Sequence, residues 1–124
     1  MLEGSSVDET IVQQVRDMVK PGEKVLVLLD ANHFKDHVLK ELDAYSPLVS
    51  VGSYIIATDG IMKMVTGLDR TTPDFSWNNP KDAALEFVAK NKDFIIEPPT
   101  FPFTESVVEE MVTYWQGGYI KRIR

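Results

Sequence analysis

The stretch between residues 25 and 60 constrains the fold of this chain most strongly. Two apolar runs, at residues 25–29 and 53–57, consist mainly of β-favouring residues, and a helical pattern at about residues 34–45 separates them. Unbroken apolar runs are typical of strands buried on both faces, as in a parallel sheet covered by helices. The stretch therefore predicts a βαβ unit with a right-handed crossover.

Composition places the chain among ordinary globular proteins. Its 124 residues are enough for one domain, and its shares of 44% apolar and 26% charged residues are average. The net charge of −6 argues against nucleic acid as a partner, because phosphate binding needs a basic surface. The basic residues 121–124 are interpreted as a solvated chain end.

Several classes of site and location are disfavoured by what the sequence lacks. There is no cysteine, so disulfides, thiolate metal sites and cysteine nucleophiles are excluded. No apolar run approaches the roughly 20 residues of a membrane span, and the N-terminus lacks the basic region and apolar core of a signal peptide. We therefore expect a cytoplasmic protein without a membrane partner. The G-x-S-x-G, P-loop, H-E-x-x-H and G-x-G-x-x-G motifs are also missing.

The remaining elements are predicted from their boundaries. Ser6 and Glu9 have the spacing of a capping box, which predicts a first helix up to Pro21. Asn79 and Pro80 predict the start of a third helix that ends near residue 90. Strands are expected at residues 94–96, 111–115 and 119–123. The run PPTFPF predicts an extended connector, and residues 106–110 fit either helix or loop.

Each strand of the predicted βαβ unit ends close to a carboxylate, Asp30 in the first case and Asp59 in the second. Neighbouring strands lie about 4.8 Å apart, so two such carboxylates can share one cation. Carboxylates and water suit Mg²⁺, which prefers oxygen ligands. The alternative is that both acids cap a helix or a turn, as Asp often does at the end of a strand.

Three basic side chains follow Asp30. His33 lies at the mouth of the same crevice, where it either contacts a ligand, acts as a general acid or base, or caps the next helix. Lys35 is either a base toward a substrate hydroxyl, if its pKa is lowered, or a solvated lysine. His37 is expected at the surface.

The loop at residues 60–78 has no clear period and leaves the carboxyl end of a strand. Long loops in compact domains usually have a function or lack order, so this loop could be an active-site lid. The alternative is a surface excursion packed down by Met62, Met64 and Trp77.

The segments LEGSS, VLLDANHFKDHVLKELDAYSPLVSVGSYIIATDG and GGYIKRI resemble the cephalosporin hydroxylase and rhamnosyl O-methyltransferase family. Members of this family are S-adenosylmethionine-dependent methyltransferases, similar to catechol O-methyltransferase in fold and metal site. The resemblance implies a partial Rossmann-like α/β sheet, with parallel strands, helices on both faces and an antiparallel C-terminal strand. It also implies a small-molecule methyl acceptor. In the related enzymes the substrate loop follows the strand that corresponds to residues 53–57, so residues 60–78 match that loop, in which Phe75 and Trp77 either line an acceptor pocket or pack the loop.

The resemblance also implies roles for individual residues. Gly4, Ser5 and Ser6 match the loop that passes the cofactor's adenine, and Asp30 matches an acid at both the cofactor and the metal. Asp59 matches the second metal ligand, beside which the family usually has a further acid or amide. His33 falls in the segment that lines the pocket. Lys35 loosely matches the catalytic lysine, with an offset of two residues.

The family's glycine-rich cofactor loop precedes the segment that LEGSS resembles. We therefore expect residues 1–124 to be one domain, equivalent to the C-terminal half of a methyltransferase, truncated and inactive on its own. The alternatives are a noncatalytic self-assembling module and a small metal-dependent hydrolase. In the family's sheet a further strand flanks residues 25–29, so we expect these residues to form an unprotected edge. This edge predicts a homodimer in which residues 25–29 of two copies, or the surfaces beside them, meet.

Overall fold

The computed structural model describes residues 1–69, 71–98 and 113–124 of the chain. Three α-helices and four β-strands are present in these ranges, together with short 3₁₀ turns at Ser46–Leu48, Gly60–Lys63 and Pro73–Ser76. In chain order the main elements are α1 (Glu9–Met18), β1 (Val27–Leu29), α2 (Lys35–Tyr45), β2 (Tyr54–Ala57), α3 (Pro80–Lys90), β3 (Phe94–Ile96) and β4 (Tyr119–Arg122).

The four strands form one mixed sheet in the order β1-β2-β4-β3. β1 and β2 are parallel, with Leu29 opposite Ala57, and α2 connects them. β4 lies between β2 and β3 and runs antiparallel to both. The predicted partial Rossmann-like α/β sheet with an antiparallel C-terminal strand is thus confirmed, and β1 lies at its edge as expected.

The core lies on one face of the sheet. It combines residues of all three helices with alternate residues of the strands: Val12, Val38, Leu42, Tyr45, Ala83, Ala84, Phe87, Leu29, Ile55, Ala57, Ile120 and Phe94. The opposite face of β1 is open, since Leu26 is 56% and Leu28 52% exposed. The prediction that residues 25–29 are buried on both faces is therefore wrong, and the three described helices share one core instead of covering both faces.

The start of α1 differs from the predicted capping box. Asp8 occupies the N-cap position, and its side chain makes no capping hydrogen bond. The Ser6 hydroxyl donates instead to Glu41 of α2, at 2.5 Å. A tertiary partner has therefore replaced the local one that the Ser6–Glu9 spacing predicts.

The predicted start of α3 is confirmed. Asn79 is the N-cap, its side chain accepts a hydrogen bond from the backbone N–H of Asp82, and Pro80 takes the first helical position. The amide of Asn79 also donates to the carbonyl of Phe75, at 2.8 Å, which attaches the preceding turn to the helix. Asn79 is fully buried.

Residues 113–118 buttress the turn after β2. The N–H of Ile61 donates to the carbonyl of Tyr114 at 2.9 Å, and the N–H of Ala57 donates to that of Gly118 at 3.0 Å. Gly60 packs directly on the Gln116 backbone: a Cβ at Gly60 would lie 2.1 Å from the Gln116 carbonyl oxygen. The described part of the predicted strand at 111–115 consists of bends, so that prediction is wrong there.

The loop at 60–78 contains two 3₁₀ turns and packs only in part. Phe75 is buried against the ring of Phe34, whereas Met64 and Trp77 are exposed. The expected packing by Met64 and Trp77 is therefore wrong. Most of the PPTFPF connector and all of residues 106–110 lie outside the described residues.

Candidate functional site

The parallel pairing of β1 and β2 brings their carboxyl ends to the same edge of the sheet. Leu29 lies opposite Ala57, so Asp30 and Asp59 follow neighbouring strands one and two residues beyond a matched pair. In open α/β sheets this edge is where ligands bind. The convergence of the two carboxylates follows directly from the register.

Thr58 holds the two strand ends together. Its backbone N–H donates to the carbonyl of Leu29 at 3.1 Å. Its hydroxyl lies 2.7 Å from Oδ1 of Asp30 and 3.0 Å from the Leu29 carbonyl oxygen, both of which are acceptors. Because Thr58 is buried, these contacts fix the orientation of the Asp30 carboxylate. No sequence pattern around Thr58 indicates this role.

Asp59 has an unusual backbone conformation. Its φ of 54° lies in the left-handed region, which non-glycine residues rarely adopt and which Asp and Asn tolerate best. The turn directs the Asp59 carboxylate toward His33, whose Nε2 is 2.9 Å from Oδ2 of Asp59. Nε2 of His33 is buried and makes no hydrogen bond with any described residue.

Asp30, His33 and Asp59 form a cluster in which one ligand atom from each lies within 4.8 Å of the other two. Two carboxylates and an imidazole with an unused nitrogen are a donor set that fits a divalent cation. The structure thus brings together both predicted metal ligands and places the predicted catalytic His33 beside them. The spacing in the sequence did not indicate His33 as a metal ligand.

Lys35 has a different partner. Its Nζ lies 2.7 Å from Oε2 of Glu86 on α3, and Lys90 lies 2.5 Å from the other oxygen of that carboxylate. The hydrogen bonds from the two lysines lower the pKa of Glu86 to about 2. Lys35 is thus part of a contact between α2 and α3, and the structure gives it no contact with the Asp30–Asp59 cluster.

A second polar cluster lies where the N-terminal segment crosses α2. The Ser6 hydroxyl lies 3.1 Å from Nε2 of His37, and it donates to Oε1 of Glu41. The Tyr45 hydroxyl donates to the Ser6 carbonyl at 2.7 Å. Burial, together with nearby Glu41, raises the pKa of Tyr45. His37 is therefore half-buried and contacts Ser6 and Glu41, so its predicted surface position is wrong.

Glu41 is the most unusual member of this cluster. It is 1% exposed, and its Oε2 has no hydrogen-bond partner among the described residues. A buried carboxylate oxygen without a partner is costly, which is why such atoms often face a ligand or water. Glu41 lines a groove of about 390 Å³ that also includes Ser6, Asp30 and the apolar residues of β1.

The other residues assigned by resemblance lie in different surroundings. Ser6 and Asp30 line the same groove, whereas Gly4 and Ser5 do not. Gly4 packs against Ile11 of α1, and a Cβ on Gly4 would lie 2.9 Å from that side chain. Phe75 is buried, and Trp77 is 60% exposed.

The fold and the cluster together define a class: a Rossmann-like α/β sheet with a carboxylate and imidazole site at the carboxyl ends of two parallel strands. The chain matches the rhamnosyl O-methyltransferase/CmcI family over residues 1–123, and it belongs to that family. The resemblance noted in the sequence is confirmed by this match. Membership of this family indicates that the chain is related to O-methyltransferases.

Two curated relatives have the name rhamnosyl O-methyltransferase. One is from Mycobacterium bovis (strain BCG / Pasteur 1173P2) and one from Mycobacterium tuberculosis (strain ATCC 25177 / H37Ra). Each is 37% identical over 60 residues, which are 47% of this chain and 24% of the relative. The match thus spans about a quarter of the relatives' length. No solved structure matches the chain significantly.

Within the described ranges, no helix combines the length and the apolar character that crossing a bilayer requires.

Proposed function

We propose that this chain carries the metal-binding part of an S-adenosylmethionine-dependent O-methyltransferase. The observation that carries the proposal is the convergence of Asp30, His33 and Asp59 within 4.8 Å at the ends of two parallel strands. Family membership supports methyl transfer to oxygen as the reaction class. The cluster supports a divalent metal as an aid to that reaction.

The two carboxylates suggest Mg²⁺ as the bound cation, and the imidazole of His33 adds transition-metal ions to the candidates. Mg²⁺ prefers oxygen ligands, whereas a nitrogen ligand is well accepted by transition ions such as Mn²⁺. We therefore propose a site that binds Mg²⁺ or Mn²⁺ through Asp30 and Asp59, with His33 as a third ligand. A bound ion would lower the pKa of an acceptor hydroxyl and hold its oxygen in place.

The groove beside β1 is the proposed position of S-adenosylmethionine in this chain. It is apolar along β1 and has polar groups of Ser6, Asp30 and Glu41, a combination typical of small-molecule sites. Asp30 belongs to both the groove and the metal cluster. Because Asp30 lies in both places, we propose that the methyl donor and the metal bind next to each other.

The methyl acceptor is proposed to be a small molecule with a hydroxyl group, and the names of the relatives favour a sugar. Trp77 is 60% exposed, and a sugar ring can stack on such an indole. Phe75 is buried on Phe34 and has less surface to offer. We therefore assign acceptor contact to Trp77 and keep Phe75 as its support.

Isothermal calorimetry with Mn²⁺ and with Mg²⁺ tests the metal site, with Asp59→Asn as the variant. Asn removes the charge and tolerates the left-handed backbone of Asp59, so the variant keeps the fold. Binding of one ion that is lost in Asp59→Asn, and kept in the exposed control Asp43→Asn, is the expected result. Absence of binding, or binding that Asp59→Asn leaves unchanged, contradicts the proposal.

The donor site has its own test. Titration with S-adenosylmethionine should give binding that Ser6→Ala weakens, because Ser6 holds Glu41 at the groove. Metal binding without cofactor binding would contradict the donor groove and leave the metal site in place. A second candidate function, a noncatalytic self-assembling module, is favoured by the exposed Leu26 and Leu28 at the edge of β1.

A further inference from the structure

The pairing of β2 with β4 continues beyond the ends of both strands. The N–H of Ala57 donates to the carbonyl of Gly118 at 3.0 Å, and the N–H of Ile61 donates to that of Tyr114 at 2.9 Å. Both hydrogen bonds keep the antiparallel register that the two strands have. The two segments between these bonds, one after β2 and one before β4, therefore run alongside each other.

Gln116 lies at the middle of its segment, and Asp59 lies at the middle of the other. Counting from either hydrogen bond in this register places the two residues opposite each other. The backbone contact at Gly60 agrees, since a Cβ there would lie 2.1 Å from the carbonyl oxygen of Gln116. Opposite residues in a regular antiparallel pair have Cα atoms about 4.5–5.5 Å apart, which a glutamine side chain can span.

Two glycines fix the backbone of Gln116. The N–H of Gly118 donates to the carbonyl of Trp115 at 2.9 Å, which closes a turn with Gln116 at its second position. Gly117 at the third position has a φ of 69°, as a type II turn requires. A Cβ on Gly118 would lie 1.9 Å from the Ala57 carbonyl oxygen, so this turn packs tightly on the end of β2.

The sequence neighbours of Asp59 offer no further oxygen ligand. The Thr58 hydroxyl already contacts Oδ1 of Asp30 at 2.7 Å, and Gly60 has no side chain. Residues 61–63 are Ile, Met and Lys, none of which has a side-chain oxygen. A further oxygen ligand must therefore come from a distant part of the chain or from water.

We propose that Gln116 is a fourth protein ligand of the cation, through the carbonyl oxygen of its side-chain amide. Gln116 is half-buried, and its amide makes no hydrogen bond with any residue that the structure describes. Amide carbonyl oxygens bind divalent cations beside carboxylates. Asp30, His33 and Asp59 leave half the positions of an octahedral ion open. The inference rests on the proposed metal site.

Calorimetry with Mn²⁺ tests this role through Gln116→Leu, which removes the oxygen and keeps a side chain of similar size. The dissociation constant should rise at least about tenfold, because loss of even an outer partner of a metal site costs about 10–100-fold. Gln14→Leu, at an exposed position of α1, is the matched control and should bind as the natural chain does. Circular dichroism checks that both variants fold.

Gln116→Glu gives the opposite sign and covers the case in which the leucine variant does not fold. It keeps the shape of the side chain and replaces the amide by a carboxylate, so Mn²⁺ should bind at least about threefold more tightly. Gln14→Glu adds the same charge far from the site and should have no such effect. A dissociation constant that Gln116→Glu leaves unchanged contradicts the proposal.

Nitrogen-15 NMR of the side-chain amides reports the ligand directly. The signal that is absent from Gln116→Leu belongs to Gln116, and saturating Mg²⁺ should shift it, because a cation on the carbonyl oxygen polarises the amide. The signal of Gln14 should stay in place.

The outcomes separate this inference from the metal site itself. Binding that Asp59→Asn abolishes but Gln116→Leu leaves unchanged, or a Gln116 signal that Mg²⁺ does not move, overturns the role of Gln116 and keeps the metal site. Absence of any metal binding by the natural chain overturns both.

Discussion

The substitution Gly60→Ala should destabilise the protein, although local propensity predicts the reverse. Gly60 starts a 3₁₀ turn, and its φ is not in the left-handed region. At such a position, replacement of glycine by alanine normally raises the free energy of unfolding by about 0.5–1 kcal/mol, because alanine has less conformational freedom to lose on folding. The contact with Gln116 reverses this sign.

The magnitude follows from the distances at Gly60. A Cβ there would lie 2.1 Å from the Gln116 carbonyl oxygen and 3.1 Å from the Gln116 backbone carbon and nitrogen. Because these are backbone atoms, a change of side-chain rotamer cannot relieve the clash. Overpacking costs about 1–3 kcal/mol. Displacement of residues 114–116 also breaks the hydrogen bond from Ile61 to Tyr114, at about 1–3 kcal/mol. After the alanine gain, a net loss of about 1–5 kcal/mol remains.

Thermal unfolding followed by circular dichroism measures this loss. With an unfolding entropy of about 2.1 cal/mol/K per residue, each kcal/mol lowers the melting temperature of a chain this long by about 4 °C, so we expect a fall of about 4–20 °C. Gly52→Ala is the control: Gly52 has a φ of 83° but no atom within 4 Å of an added Cβ. It should cost only the backbone strain, about 1–2 kcal/mol. An unchanged or higher melting temperature for Gly60→Ala would refute the reasoning.

Three further outcomes are expected. Asn79→Ala should lower the free energy of unfolding by about 2–3 kcal/mol in urea titrations, because it removes a helix cap and leaves a buried carbonyl without its donor. In thermal scans Phe75→Ala should cost about 3–5 kcal/mol, and Trp77→Ala less than about 0.5 kcal/mol, because only Phe75 is buried. The pKa of Glu86, measured by carboxyl-carbon NMR, should be about 2 and should rise toward 4.5 in Lys35→Met. Since this pKa is lowered on folding, its contribution to stability is present above pH 4.5 and is lost as the pH falls toward 2.

The sequence predicts the elements that local chemistry determines. The apolar runs around Ile55 and Val27, and the Asn-Pro start at Asn79, each depend on neighbouring residues, and the structure has strands and a helix there. The convergence of Asp30 and Asp59 was also predictable, because two strands joined by one helix are parallel neighbours.

Long-range contacts explain most of what the sequence did not predict. Ser6 has a suitable local partner in Glu9, yet its hydroxyl lies against residues more than thirty positions away. The burial of Glu41 has no local cause, because its surroundings come from α1, α2 and β1 together. His33 lies beside Asp59 because the backbone of Asp59 is left-handed, and the spacing of residues in the sequence does not predict such a turn.

The position of β4 in the sheet has a consequence for the rate of folding. β4 lies between β2 and β3, although it follows all the other described elements in the chain, and Lys121 pairs with Tyr54, 67 positions earlier (121 minus 54). Until it arrives, β1 and β2 cannot be joined to β3 by backbone hydrogen bonds. Contacts between distant residues slow folding, because the loop must close before they form. We therefore expect the entry of β4 to be the slow step of folding, after α2 and α3 have formed.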